Sequence, residues 1–409
     1  MLKIIKGGHI FNPDDIGCKD ILIAGEKIIE VKQNIPIPSG IKVEVIDAKG
    51  KTIVPGFIDG HVHLLGGGGS EGPASHTHGI SFSSLAMAGI TTVVGTLGLD
   101  CINFDIKHLL IKAKALEEDG ITTYIYTGSF NYPSATIMGS IELDLSMIEK
   151  VIGVKLAMFC ALSIPISEDL FSELIVKARI GGMLGKKSGV VHIHLDDISG
   201  DYNIFLKVSN RTGFPLKKIV ITHINRSREV FQKALGCAKQ GLVVDVTALS
   251  SPARGINKAV RPAQAIKELI EGGVSLENIT MSSDSNAAQI IMSDKGEVEK
   301  MFLTPVNVLI EEFKEAVIQW NLPFSDVLKI ITINVAKVLG IERFKGSILP
   351  GKHADLILMD DDLNIDTVMA KGQILVKDSI PIVIGKFEMD YYDQSQNLRL
   401  KLAKEGGGK

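Results

Sequence analysis

The stretch Val54-Pro55-Gly56-Phe57-Ile58-Asp59-Gly60-His61-Val62-His63 decides how this chain is read, together with Leu64-Leu65 and the four glycines Gly66 to Gly69 that follow. Phe57 and Ile58 are strand formers, and Pro55-Gly56 marks the entry to the segment. Side chains alternate along a strand, so His61 and His63 share one side of it. Two imidazoles aimed together at a strand end suit one divalent cation, because imidazole is a preferred ligand for zinc and its first-row neighbours. The glycine run lets the backbone turn away without side chains closing the site. A bare His-x-His also arises incidentally, so its meaning rests on the rest of the chain.

The chain has 409 residues, enough for one large domain and a smaller one. Its 45% hydrophobic and 22% charged residues and net charge of −3 are those of a globular chain. They offer no electrostatic basis for binding nucleic acid or an anionic membrane, and no apolar run is long enough to span a bilayer. Met1 to Lys6 lacks the apolar region of a signal peptide. The four cysteines, Cys18, Cys101, Cys160 and Cys237, form no Cys-x-x-Cys and read as reduced thiols, so a cytoplasmic location is expected.

The first fifty or so residues read as short strands and tight turns (Leu2 to Ile5, Asp20 to Ile23, Lys27 to Val31, Lys42 to Asp47). The same texture returns at Ala354 to Met359 and Asp366 to Val376. Between them, strands alternate with helices. Eight apolar runs read as buried parallel strands: Val54–His63, Thr91–Leu97, Thr122–Thr127, Val151–Met158, Val190–Leu195, Lys218–Ile224, Leu242–Thr247 and Ile279–Ser283. Amphipathic stretches such as Asp105–Glu118, Glu168–Arg179, Glu229–Lys239 and Ala263–Glu271 follow most of them. The predicted fold is an α/β (β/α)8 TIM barrel over residues 54–346, with a small β-sandwich built from 1–53 and 347–388 and a tail over 389–409.

Catalytic groups of such a barrel sit at the C-terminal ends of its strands. The predicted first strand ends in His61 and His63, the fourth carries Lys155, the fifth ends in His192-Ile193-His194, the sixth in Thr222-His223-Ile224-Asn225-Arg226, and the eighth in Ser282-Ser283-Asp284. Each alone has an ordinary structural explanation; their coincidence at one end of five strands does not. An ammonium at Lys155 would be costly in a dry barrel and would repel cations, while burial favours the neutral amine. A neutral amine beside two cations can capture CO2 as a carbamate, whose two oxygens can bridge them. The expected site places one divalent metal on His61, His63 and Asp284 and a second on His194 and His223, with carbamylated Lys155 and a hydroxide bridging them. Asp284 is the expected proton carrier. His192 shares a face with His194, and the sequence leaves that choice open; His194, nearer the strand end, is favoured. A second His-x-His, His76-Thr77-His78, reads as solvent-exposed.

These residues resemble the amidohydrolase superfamily, and within it the isoaspartyl dipeptidase (β-aspartyl peptidase) family. The likeness runs through Pro55 to Gly69, Ala88 to Gly95, Arg179 to Gly185, Thr222 to Arg226, Ser282 to Asp284 and Leu349 to Leu356. The resemblance implies a barrel with a β-sandwich, two zinc ions bridged by a lysine carbamate, a homo-octamer, and hydrolysis of dipeptides linked through the aspartate side chain. His61, His63, Lys155, His194, His223 and Asp284 match the family's metal positions. The substrate positions mostly differ. Ser70 stands where the family has glutamate, with Glu71 one residue later; Phe130 stands for tyrosine, with Tyr132 nearby; Leu162 stands for arginine and Ala288 for serine. Arg226 is retained and suits a substrate carboxylate. Losing several buried donors or charges implies a shifted substrate, still a small amide with a carboxylate. A cyclic-amide hydrolase of the hydantoinase or dihydroorotase type shares the metals and barrel, and a non-catalytic scaffold shares the barrel alone. Arg254 and Arg261 in the loop around Pro252 are further candidate cationic contacts.

Overall fold

The computed structural model describes residues 2–198, 200–292 and 297–388. The tail expected over 389–409 lies outside them. Eight parallel strands form one sheet in sequence order: Phe57–Val62, Ile90–Gly95, Thr122–Gly128, Val151–Met158, Val190–Leu195, Ile219–Thr222, Val243–Thr247 and Ile279–Ser282. The sheet curls until its first and last strands meet. Val62 bridges Ser285 in parallel, the His63 N–H donates to the Ser285 carbonyl at 3.0 Å, and the Ser283 N–H donates to Asp59 Oδ1 at 3.2 Å. All eight strands are buried along almost their whole length, which explains why they read as continuous apolar runs.

The barrel floor is apolar. Ile58, Val94, Ile152, Val190, Val220 and Val243 pack against Val335, Ala336 and Leu339 of the helix Ile333–Leu339, which plugs the mouth opposite the site. Above this floor, Asp245 accepts hydrogen bonds from the Thr222 and Thr280 hydroxyls, each at 2.7 Å.

The predicted strand Val54–His63 is two strands. Thr52–Pro55 belongs to the terminal sheet, and Phe57–Val62 starts the barrel. The break falls at Gly56, where a Cβ would lie 2.2 Å from Thr91 Oγ1, so only glycine permits the crossing. Strands from both termini join in one nine-stranded sheet. Residues 2–11 pair with 15–24 in antiparallel fashion, and Thr52–Pro55 pairs with Leu356–Met359 of the C-terminal part. The sheet encloses its own core of Ile5, Ile21, Ile53, Leu356, Leu358 and Met369. Lys345 and Asp355, both buried, form an ion pair at 2.5 Å.

One element was not anticipated from sequence. Ala288–Met292 and Val298–Leu303 form an antiparallel hairpin after the eighth barrel strand.

Candidate active site

His61 is wholly buried, and its two nitrogens face different partners. Nδ1 lies 2.9 Å from His192 Nε2, while Nε2 lies 3.2 Å from Lys155 Nζ and 3.4 Å from Asp284 Oδ1. His63 Nε2 is likewise 3.4 Å from Asp284 Oδ1, and His63 Nδ1 is buried without a hydrogen-bond partner. Gly67 explains part of this arrangement, since a Cβ there would sit 2.8 Å from His63 Nδ1. The glycine run makes room for the imidazole as well as turning the chain.

His194 and His223 meet edge to face with ring centroids 4.5 Å apart, and His223 lies 5.1 Å from the His61 ring. His223 Nδ1 is 2.7 Å from Thr247 Oγ1. With Nδ1–H donated to that hydroxyl, Nε2 keeps its lone pair for the site. His223 (φ 64) and Asp284 (φ 56) both occupy left-handed backbone just past their strand ends. Such conformations cost non-glycine residues about 1–3 kcal/mol and cluster at functional sites.

The electrostatics suit cation ligation. Burial pushes His61, His192 and His194 well below the usual imidazole range and His223 down to about 3, which keeps the rings neutral. Burial pushes Lys155 down from 10.5 to about 8, against the pull of Asp284 and Asp100. Burial alone would raise Asp284; its interactions with His223 and the hydrogen bond from His63, together with the charge of Lys155, outweigh it and hold the carboxyl at about 2, so it is ionised at neutral pH. Ligand atoms of His61, His63 and Asp284 all lie within 4.8 Å of one another. That grouping, the orphaned His63 nitrogen and the neutral rings fit a divalent cation, with His194, His223 and Lys155 adjacent to hold a second.

Above these groups opens a cavity of about 210 Å3. His194 lines it; His192 does not, being buried beneath with its ring stacked on Tyr126 at 4.8 Å. The cavity wall includes Ser70, Phe130, Leu162 and Ala288, the four positions at which the sequence departs from the resembled family, and it includes Arg226. Arg226 donates from one terminal nitrogen to Asp196 Oδ1 at 2.8 Å, and among the described residues no other acceptor meets its guanidinium. Burial raises the Asp196 carboxyl, and Arg226 overcomes that to hold it below its ordinary value.

Glu71 and Tyr132 do not line the cavity. Glu71 is exposed, and its backbone N–H donates to Ser75 Oγ at 3.2 Å. The Tyr132 hydroxyl accepts from Lys177 Nζ at 3.4 Å, with the ammonium 5.9 Å from its ring centre. Arg254 pairs with Glu311 and Glu312, and Arg261 with Glu315, so these arginines already have their charge partners. His78 is exposed as expected; His76 is half-buried and stacked on Phe104 at 4.8 Å, because its loop folds back onto the glycine run through the Gly68–His76 bridge.

Three contributors escaped the sequence reading. Asp59 is buried and braces His61, its Oδ1 accepting from the His61 N–H at 3.3 Å and from Ser283 N–H; burial pushes its carboxyl up to about 7. Cys160 and Asp196 group with His194 within 4.8 Å. Asp196 carried a legible signal, since it continues the alternation of His192 and His194.

A profile of the amidohydrolase family matches residues 52–375, which spans the barrel and the pairing strands on either side of it. The chain belongs to the amidohydrolase family. This amidohydrolase is 34% identical to a β-aspartyl dipeptidase from Fervidobacterium islandicum AW-1, solved in complex with a β-Asp-Leu dipeptide; the match has a TM-score of 0.85 and covers 93% of this chain and 98% of that one. The resemblance drawn from the motifs is thereby borne out. A D-hydantoinase (dihydropyrimidinase) from Thermus sp. shares the fold, with a TM-score of 0.67 and 16% identity over 94% of this chain and 97% of that one. A dihydroorotase from Staphylococcus epidermidis is 39% identical over 92 residues, which are 22% of this chain and 21% of that enzyme. The chain thus matches about a fifth of that relative's length. Family membership and these relatives support a hydrolase acting on C–N bonds. Among the described residues no helix is long and apolar enough to cross a membrane.

Proposed function

We propose that this amidohydrolase is a metal-dependent hydrolase of a small amide that carries a carboxylate, a class that includes β-aspartyl dipeptides. The observation that carries this reading is the convergence of His61, His63, Lys155, His194, His223 and Asp284 in one buried cluster, of which His63, His194 and Asp284 line the cavity that Arg226 also lines. His61, His63 and Asp284 would hold one divalent cation, and His194 and His223 the second. Lys155, as its carbamate, would serve both. When bound, two such cations supply Lewis acidity toward the amide carbonyl and lower the pKa of water so that it is nucleophilic at neutral pH.

The chain's own groups do the rest. Asp284, ionised and aimed at the site, accepts a proton from the attacking water and returns it to the departing amine. Arg226 keeps unused N–H donors for a substrate carboxylate and orients the amide over the floor. Phe130 and Leu99 cover the side of the cavity and limit water. The chain is expected to act on small molecules in the cytoplasm and to assemble as a homo-oligomer, an octamer by family resemblance.

The test is metal analysis paired with an assay panel. About two zinc per chain, with turnover of linear carboxylate-bearing amides, is the expected result. Turnover of hydantoin or dihydroorotate in preference to every linear amide would replace this reading with that of a cyclic-amide hydrolase. Absence of metal and of hydrolysis would leave a non-catalytic scaffold.

A further inference from the structure

The charged groups of the cavity are few, and each has a defined place. Asp284 lies at the floor, within 3.4 Å of both His61 and His63. Asp196 is joined to Arg226 at 2.8 Å. The apolar side chains Leu99, Phe130, Leu162 and Ile290 also line the cavity, with Ser70 and Gln289 as its uncharged polar side chains. Leu162 lines the cavity and is half-exposed, so it is available to pack against a ligand.

An incoming carboxylate finds Arg226. Among the described residues that line the cavity, an incoming ammonium meets only engaged carboxylates: Asp284 faces the metal-ligand cluster, and Asp196 accepts from Arg226 and the Asp197 N–H at Oδ1 and from Cys160 Sγ at Oδ2, whereas Arg226 spends one terminal nitrogen on Asp196 and keeps its other donors. A primary ammonium placed against Leu99, Phe130, Leu162 and Ile290 would lose its hydration without a counter-charge. An alkyl group in the same place would gain from burial.

We infer that the substrate is an N-acyl amino acid whose acyl chain is apolar and bears no free ammonium, with the carboxylate of its amino-acid half held by Arg226. This rests on the amidohydrolase reading above and narrows it. In the reaction, water adds across the amide C–N bond. The acyl carbon takes the hydroxyl to give a carboxylic acid, and the nitrogen takes the proton to give the free amino acid. No oxidant or further reactant is needed.

Three leucine amides separate the possibilities: β-aspartyl-leucine, N-succinyl-leucine, which lacks only the ammonium, and N-butyryl-leucine, which also has a methyl group in place of the second carboxylate. The expected order of kcat/KM in the zinc-loaded enzyme is butyryl, then succinyl, then β-aspartyl, with at least about tenfold between the extremes. Dissociation constants measured by calorimetry for the corresponding ketones, with CH2 in place of the amide NH, should follow the same order. Ser70→Glu adds a carboxylate at an exposed position of the rim and should shift the preference toward β-aspartyl-leucine by about tenfold or more. Equal or preferred use of β-aspartyl-leucine by the unaltered enzyme would overturn the inference and leave the amidohydrolase reading standing. If the ketones bind in the expected order but no amide is cleaved, the catalytic reading fails while the pocket assignment holds.

Discussion

His192 Nε2 lies 2.9 Å from His61 Nδ1, on the side of the ring away from Lys155 and Asp284. This contact fixes the orientation of the His61 imidazole and leaves Nε2 facing the site. In the proposed centre His192 would therefore act through His61, and His194 would be the ligand. Partners of this kind contribute about 10- to 100-fold to metal affinity. His192→Ala should leave a folded protein whose zinc is removed by correspondingly lower chelator concentrations. His194→Ala should instead reduce the stoichiometry from about two zinc to about one per chain.

Gly67 lies beneath the His63 ring, and its Cβ position is 2.8 Å from Nδ1. Gly67→Ala should push the imidazole off its position while the barrel, which this loop does not build, remains intact. Activity is expected to fall by at least about tenfold, as when a catalytic group is displaced by a fraction of an ångström to an ångström. Circular dichroism should be unchanged. Full activity in this variant would show that His63 is not held by contact with the loop.

Lys155 must be a neutral amine to capture CO2. Its ammonium is pushed down to about 8, so the neutral form dominates above that pH and is lost below it. The neutral fraction falls about tenfold for each unit of pH below 8. The rate at which metal-free protein is reactivated by zinc at a fixed concentration of dissolved CO2 should therefore rise with pH and level off above about 8. A rate independent of pH between 6 and 9 would argue against a carbamate. Lys155→Met should abolish the dependence and most of the second-metal binding.

Lys345 and Asp355 are buried together, and Asp355 also accepts from the Lys371 N–H at 2.8 Å. Removing one member of such a pair leaves an uncompensated charge and costs about 3–5 kcal/mol. Lys345→Ala should lower unfolding stability by that amount in a denaturant titration. The double variant Lys345→Met with Asp355→Leu should recover part of the loss. Because the pair lies away from the cavity, the kcat of the folded fraction should change little in either.

The strands of the barrel were legible because they are buried on both faces. Val151–Met158 and Val190–Leu195 match their predicted limits, since a continuous apolar run needs no partner to be recognised. Gly56 misled, because no local rule shows that a chain changes sheets there; the close approach of Thr91 does. The hairpin Ala288–Leu303 was missed because its second strand, Val298–Leu303, is largely exposed and carries a weak apolar pattern. Yet Ala288, Gln289 and Ile290 from its first strand form part of the cavity wall.

What the sequence by itself determined was the kind of chemistry and the end of the barrel that carries it. Alternation along strands places His61, His63, His194 and Asp284 on definite sides, and the barrel topology collects strand ends. Which residues share the cavity is a matter of tertiary structure. Lys155 touches His61 across 94 positions, His192 rather than His194 turns to brace it, and Tyr132 and Glu71 lie off the wall that Phe130, Leu162, Ala288 and Ser70 form. The reason is that side-chain periodicity is set by local backbone geometry, while the meeting of distant side chains depends on how strands curve and loops fold back. Those are settled only when the whole barrel closes.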